Sequence, residues 1–195
     1  GGNFQQHQGV EFNNADGTPV RAIGAGTVAY AGRGEAGAGT VAILHDSVLV
    51  QGRDTARIFS VYYHNSALEV RTGERVERSQ VVARVGNTGR ATNDHLHLEV
   101  HVTPTSDVRA VVDSLNRFPP HTTNPELWIR PLPGTGIVAG TVRDAAGRPV
   151  PGARIHGLVK PEPRETPFAF IETYRDKAHA HPLYGEDFAI GDVPA

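Results

Sequence analysis

Six short runs of β-branched and aromatic residues, separated by glycine-rich turns, fill most of residues 18–102. Such runs favour extended strands, and the glycines permit the tight reversals that join neighbouring antiparallel strands. The sequence therefore predicts an all-β fold built on an antiparallel sheet. Its strands are expected at residues 18–23, 26–31, 40–45, 57–64, 80–85 and 95–102.

Helical periodicity occurs only between Asp107 and Phe118, where Val108, Val111 and Leu115 fall on one stripe. We expect either a short helix or an irregular connection there. A proline-rich stretch follows and predicts a boundary near Pro133. The chain is thus divided into a domain at residues 1–133 and a smaller β-sandwich module at residues 134–195, which is expected to be incomplete.

Composition excludes several classes of partner. The 19 basic and 21 acidic residues give a net charge of −2 and form no basic stripe, so nucleic acid is not an expected partner. No apolar run approaches the roughly 20 residues of a membrane helix, so no membrane insertion is expected. Because the chain has no cysteine, a metal site would need His, Asp and Glu. It also has no methionine, which predicts a processed form or part of a larger protein.

The segment from His95 to Val102 alternates polar and apolar residues without interruption. In a strand, this pattern places His95, His97, Glu99 and His101 on one face. A solvated face would explain the alternation, but such faces are usually filled with Thr, Lys, Arg and Glu. Same-face neighbours lie about 6.6 Å apart, so one metal ion cannot bind all three histidines. One of them can bind a metal while its neighbour acts on a metal-bound water.

Two further signals are weak on their own. His7 and Glu11 stand four residues apart around Gly9, which would let the backbone turn, but this spacing more often marks a surface pair. His64 stands where a predicted strand gives way to a loop, a position at which catalytic groups are common. Alone, it could equally be an ordinary histidine at the end of a strand.

Taken in order, these segments resemble the lysostaphin/LytM-type family of zinc endopeptidases that cut peptidoglycan. The resemblance runs from residue 7 to about residue 103. It rests on a His-x-x-x-acid pair, a glycine-rich strand pair, a Tyr-x-His segment, a hairpin and a His-Leu-His strand. In this sequence these are His7 to Glu11, Gly17 to Gly32, Tyr62 to His64, Val70 to Gly89 and His95 to Val100.

The resemblance implies an antiparallel domain of the duplicated hybrid motif type, with Zn²⁺ bound by His7, Glu11 and His97. Three protein ligands leave an open position for water, which zinc makes more acidic. The implied activity is hydrolysis of peptide bonds by this water, in peptidoglycan cross-links or in another peptide substrate. The implied location is the cell envelope or the extracellular space.

The resemblance also implies roles for side chains beside the metal. His64 and His95 would take the proton of the water and stabilise the oxyanion. Glu99 shares their strand face and is predicted to orient a metal ligand. His45 matches a position that is not catalytic, so we expect it to be structural.

The sequence departs from the family pattern at four places. Glu11 stands where Asp is usual, Ser79 replaces a hairpin glycine, and Asn65 replaces a leucine. Asn93 and Asp94 replace Gly-Pro before the histidine-rich strand, which puts the shape of that rim in doubt. None of these changes removes a proposed ligand or catalytic imidazole.

Two other functions have features in common with this sequence. A biotinyl or lipoyl carrier needs a lysine at its hairpin tip, but no lysine precedes Lys160, so this reading is rejected. A non-catalytic cell-wall-binding or hydrolase-activating module of the same fold is the alternative, and the retention of all four histidines favours the enzyme. The C-terminal part resembles carboxypeptidase regulatory-like modules, and its His179 and His181 are expected to be a loop pair.

Overall fold

A computed structural model describes residues 8–51, 54–113, 119–158, 170–175 and 178–195. The predicted all-β class is confirmed. The strands are β1 (Val10–Asn13), β2 (Pro19–Arg21), β3 (Gly26–Arg33), β4 (Gly39–Gln51), β5 (Asp54–Tyr63), β6 (Ala67–Leu68), β7 (Arg75–Val76), β8 (Val81–Arg84), β9 (His95–Thr103), β10 (Thr122–Thr123), β11 (Thr135–Gly140), β12 (Arg154–His156), β13 (Phe170–Glu172) and β14 (Phe188–Pro194). Three short 3-10 helices span Glu35–Gly37, Val108–Ala110 and Pro125–Leu127. Over the described ranges, the chain contains no helix of the length and apolarity that crossing a bilayer requires.

Two antiparallel sheets pack face to face in the first part of the chain. The larger follows the order β1-β9-β5-β4-β3-β7, with β10 beside β9, and the smaller follows β2-β8-β6. Aliphatic side chains from both sheets, including Val20, Val82, Ile43 and Leu98, fill the space between them and are almost fully buried. Removing this apolar surface from water is the main force that holds the two sheets together.

A second hydrophobic cluster lies on the opposite face of the large sheet. Phe59, Val61 and Val111 are fully buried there, because the segment after β9 folds back over the sheet. Where a helix was one of two expectations, the described residues form a single 3-10 turn, Val108–Ala110, which Asp107 caps by accepting from the backbone N–H of Arg109 at 3.0 Å. The rest of that prediction, residues 114–118, lies outside the described residues.

The six predicted strands correspond to β2, β3, β4, β5, β8 and β9, but their bounds and number differ from the prediction. β4 and β5 continue as a long ribbon beyond the predicted ends. Before residue 133, four strands of two to four residues, β1, β6, β7 and β10, were not predicted, because so few residues give no measurable alternation. Ser79 has a φ of 69°, which explains why a glycine suits that hairpin position.

His45 lies in a buried hydrogen-bond chain that joins β4 and β5 to the loop between β2 and β3. Its Nδ1 bonds the carbonyl of Ala25 at 3.1 Å and its Nε2 lies 2.8 Å from the hydroxyl of Ser60. The Ser60 hydroxyl is 3.0 Å from that of Tyr62, which accepts from the N–H of Ile23. Because a carbonyl only accepts, Nδ1 carries the ring proton and Nε2 accepts. Burial lowers the pKa of His45, so the ring is neutral.

The C-terminal residues form two small ladders, β11 with β14 and β12 with β13. Contacts link them to the segment before the predicted boundary. The Asn124 amide donates to the carbonyl of Ala189 at 3.1 Å, and Glu126 accepts from the N–H of Gly191 at 2.6 Å. The ring of Trp128 lies 4.6 Å from that of His181. The division at residue 133 stays a prediction.

Candidate active site

Strand β9 carries most of the candidate site and lies inside the large sheet. Its register sets His97 opposite Glu11 of β1 on one side and opposite Tyr63 of β5 on the other. Side chains of directly opposed residues project to the same face of a sheet. The register therefore brings these three side chains together, although they are far apart in sequence.

The polar face of β9 is buried rather than solvated. His95, His97 and Glu99 are less than 10% exposed, and His101 is fully buried. This excludes the reading of an ordinary wet strand face. It also means that each polar atom on this face needs a partner, because burying an unpaired polar group is costly.

The candidate residues that the structure describes surround one pocket of about 300 Å³. The Nε2 of His95 and the Nδ1 of His97 lie 3.9 and 4.0 Å from the same oxygen, Oε1 of Glu11. The ring of His64 lies 4.8 Å from that of His95 and 5.9 Å from that of His97. The residues that line the pocket are Glu11, Glu35, Ala38, Tyr63, His64, Arg90, Ala91, Thr92, Asn93, His95, His97, Glu99, Val112 and Asp113.

His64 follows directly after β5 with a φ of 64°, in the left-handed region that non-glycine residues rarely adopt. Asn65 supports this turn, since its amide donates to the carbonyls of Gly39 at 2.8 Å and Tyr62 at 2.9 Å. A leucine could make neither bond, so the departure at position 65 has a structural reason. Unusual backbone angles of this kind often mark functional positions.

The ring of His64 has a defined tautomer. Its Nδ1 lies 2.8 Å from the carbonyl oxygen of Thr88, and because that oxygen can only accept, Nδ1 carries the proton. Burial lowers the pKa of His64 to about 4, and the neighbouring His97 and His95 add to the effect. The ring is therefore neutral at pH 7, and its Nε2 has a lone pair.

His95 is oriented in the same way. Its Nδ1 donates to the carbonyl of Asn93 at 2.9 Å, so in the neutral ring Nε2 is the acceptor, on the side of Glu11. The rim whose shape the sequence left in doubt thus supplies the group that fixes this histidine. Two imidazoles with an available Nε2 adjoin one pocket, an arrangement suited to accepting and returning a proton.

His97 is held through its other ring nitrogen, Nε2. Its Nε2 lies 3.1 Å from Oε1 of Glu99, so this nitrogen donates and Nδ1 lies on the side of Glu11. Burial opposes a charge on this ring, but the carboxylates of Glu11 and Glu99 outweigh burial and raise the pKa of His97 to about 9. A site that attracts positive charge so strongly is a suitable environment for a cation.

Gly9 is required for a reason that the sequence did not show. The chain bends at Gln8, which has a φ of 59°, and at Gly9. A Cβ on Gly9 would lie 2.5 Å from Nε2 of His97 and 2.7 Å from the carbonyl of Leu98. The glycine therefore lets the chain lie against His97.

The donor set fits a zinc ion in chemistry. Zinc binds imidazole nitrogen and carboxylate oxygen, and His97 and Glu11 offer one of each on facing strands. The third proposed ligand, His7, lies outside the described residues. Within the described ranges alone, no three His, Asp or Glu side chains form a group able to hold a metal. The proposed ligand set thus depends on His7.

Two site residues were not assigned roles from the sequence. Tyr63 lines the pocket, and burial, with the charges of Glu99 and Glu35, raises the pKa of its hydroxyl well above the usual range, so it stays a donor. His101 contacts Glu99. The sequence signal for His101 was its place in the alternating strand, whereas nothing local distinguished Tyr63 from Tyr62.

Comparison with known proteins identifies a family and several relatives that match the first part of the chain. Residues 5–109, more than half of the chain, match Peptidase family M23. The chain is 37% identical over 101 residues to an uncharacterized metalloprotease of Haemophilus influenzae, covering 52% of this chain and 20% of that protein. It is 32% identical over 98 residues to peptidoglycan DD-endopeptidase ShyC of Vibrio cholerae, covering 50% of this chain and 21% of that one.

A third relative is glycyl-glycine endopeptidase ALE-1 of Staphylococcus capitis, 37% identical over 99 residues, with 51% of this chain and 25% of that protein covered. The chain thus spans a quarter or less of the length of these relatives. Among solved structures, a zinc containing peptidase from Vibrio cholerae aligns with 34% identity and a TM-score of 0.43, covering 50% of this chain and 28% of that one.

Proposed function

Because this chain belongs to Peptidase family M23, we propose that it is a zinc-dependent endopeptidase that hydrolyses peptide bonds in peptidoglycan cross-links. The observation that carries the proposal is the pocket in which Glu11 approaches His95 and His97 while His64 adjoins both rings. Peptidoglycan lies outside the cytoplasmic membrane, so the proposal includes an envelope or extracellular location.

The metal would be held by His7, Glu11 and His97. Zinc bound there would supply Lewis acidity toward a peptide carbonyl and toward water. Glu99 would keep the Nε2 proton of His97 in place, so that the proton displaced when the metal binds is the one on Nδ1.

The proton transfers would fall to His64 and His95. Each has its Nδ1 proton held by a backbone carbonyl, so each can accept a proton at Nε2 as water attacks the peptide. The same nitrogen can then give the proton to the departing amine. Between these steps, the one ring that has taken the proton would stabilise negative charge on the carbonyl oxygen.

The test is digestion of purified peptidoglycan by the zinc-loaded protein, with new amino groups counted. We expect amines to appear, to stop appearing with a chelator and to reappear with added zinc. The names of two relatives specify different bonds, so peptidoglycan with direct D-amino-acid cross-links and peptidoglycan with glycine bridges should be compared. Binding to either without release of amines, from protein holding one zinc per chain, would favour the non-catalytic alternative.

We also propose that residues 134–195 form a separate module similar to carboxypeptidase regulatory-like domains. Its two small antiparallel ladders support this, and none of its described residues lines the pocket described above. The module would then position the peptidase and take no part in its chemistry.

A further inference from the structure

Both carboxylate oxygens of Glu99 are bonded to buried histidines. Its Oε1 lies 3.1 Å from Nε2 of His97, and its Oε2 lies 2.9 Å from Nε2 of His101. All three side chains project from alternate positions of β9, so they form a row along one face of the strand. A buried carboxylate with one oxygen unpartnered could rotate, whereas one bonded at both ends is held in a single orientation.

His101 lies at the inner end of this row, away from the pocket. It is fully buried between Phe59 of β5 and Thr122 of β10, and its Nδ1 is 3.4 Å from the Thr122 hydroxyl. Four residues along a strand separate it from His97 by about 13 Å, so it cannot bind the same metal ion. It does not line the pocket described above. Any effect on chemistry must therefore pass through Glu99.

We infer that His101 is a positioning residue of the metal site: it holds one oxygen of Glu99 so that the other keeps the Nε2 proton of His97 and leaves Nδ1 for the metal. The inference rests on the proposed function for its consequence, zinc affinity. The hydrogen-bonded row itself does not depend on a metal. Outer partners of metal ligands commonly change affinity by about 10- to 100-fold when they are replaced.

Three variants separate positioning from simple packing. His101→Phe keeps a large ring but cannot donate to Glu99, and His101→Gln can donate from its amide. Val100→Ala removes buried volume from the neighbouring position, whose side chain faces away from Glu99. We expect zinc affinity, measured by competition with a chelator at fixed pH, to fall about 10- to 100-fold in the Phe variant. The Gln and Val100 variants should keep the zinc affinity of the unchanged protein, because Gln still donates to Glu99 and the side chain of Val100 does not contact it.

A second measurement needs no metal. In metal-free protein with ¹⁵N-labelled histidine, the proton on Nε2 of His97 should give a slowly exchanging NMR signal, assigned by its loss in His97→Gln. We expect the signal in the unchanged protein and in His101→Gln, and its loss or rapid exchange in His101→Phe. Failure of the unchanged protein to bind zinc would refute the proposed function, and this signal would still decide the role of His101. The inference is overturned if the Phe variant keeps the signal, if Gln behaves like Phe, or if Val100→Ala weakens zinc binding as much as Phe.

Discussion

At the scale of single residues, the direction of each ring in the pocket follows from what its other nitrogen bonds. His64 and His95 give their Nδ1 protons to carbonyls, whereas His97 gives its Nε2 proton to Glu99. These partners fix the nitrogen that each ring has left for other contacts, which is Nε2 in His64 and His95 and Nδ1 in His97. The three histidines are therefore not equivalent, and their replacement should have different effects.

His97→Ala is expected to lose both zinc and activity, because it removes a proposed ligand. His95→Ala should keep one zinc per chain and lose turnover by about 10²- to 10⁴-fold, the usual contribution of a general acid or base. Metal content after dialysis and the rate of amine release from peptidoglycan measure the two effects. Equal loss of zinc from both variants would contradict the assignment of roles.

Glu11 is predicted to be a ligand whose charge is needed. Glu11→Asp should retain zinc, since a carboxylate of either length can bind it, whereas Glu11→Gln should weaken affinity by about tenfold or more because the neutral amide forfeits the attraction to the cation. Affinity would be measured by chelator competition at fixed pH. Glu35→Gln is the matched control, since Glu35 lines the same pocket but pairs with Arg90. If the Glu11→Gln protein binds as tightly as the unchanged protein, Glu99 is the next candidate.

At the scale of strands, the neighbours of β9 decide what its polar face can do. With β1 and β10 on one side and β5 on the other, every side chain on that face meets an opposed residue. The strands β4 and β5 are joined independently to the loop before β3 by the hydrogen-bond chain through His45. That chain needs a neutral imidazole, which makes the sheet sensitive to acid.

The sheet is expected to lose stability when the pH falls below the ordinary pKa of histidine. Burial lowers the pKa of His45 from 6.5, so protonation favours the unfolded chain. The contribution of neutral His45 to the free energy of unfolding is complete above pH 6.5. It is lost as the pH falls toward the pKa of His45 in the folded protein, by up to about 1.4 kcal/mol per pH unit. Urea unfolding at pH 7.5 and 5.5 should show a larger loss for the unchanged protein than for His45→Gln. Equal losses would show that His45 is not responsible.

At the scale of the whole molecule, the C-terminal ladders are tied to the peptidase part by a few buried polar contacts. Glu126 is 7% exposed and accepts from the N–H of Gly191, and the chain's single tryptophan, Trp128, lies beside His181. Removing one partner of such a hydrogen bond destabilises the fold, because it leaves the other partner buried and unsatisfied. The two parts should therefore unfold together while these contacts persist.

Glu126→Ala is expected to weaken this link, because it leaves the Gly191 N–H buried without its acceptor, at a cost of about 1 to 3 kcal/mol. Trp128 fluorescence, which reports on the junction, should then change at a lower temperature than circular dichroism of the sheets. In the unchanged protein the two transitions should coincide. Glu69→Ala, at an exposed ion pair with Arg84, is the control and should shift neither. Coincident transitions in Glu126→Ala would mean that the contact does not couple the parts.

The sequence by itself determined the all-β class, the positions of the longer strands and the histidine-rich face of residues 95–102. These follow from a period of two and from glycine turns, which are local properties of the chain. Glu11, His64, His95, His97 and Glu99 do lie around one pocket, as the resemblance implied. The placement of His7 and the roles of these residues stay predictions.

Only the tertiary structure decided which polar groups are buried and what each one bonds. The close approach of Gly9 to His97, the left-handed backbone of His64 and the bond from His101 to Glu99 depend on strand register. Register is fixed by pairing between residues far apart in sequence, so a local pattern cannot specify it. For this reason the sequence predicted the chemical groups of the site, whereas their orientations required the folded sheet.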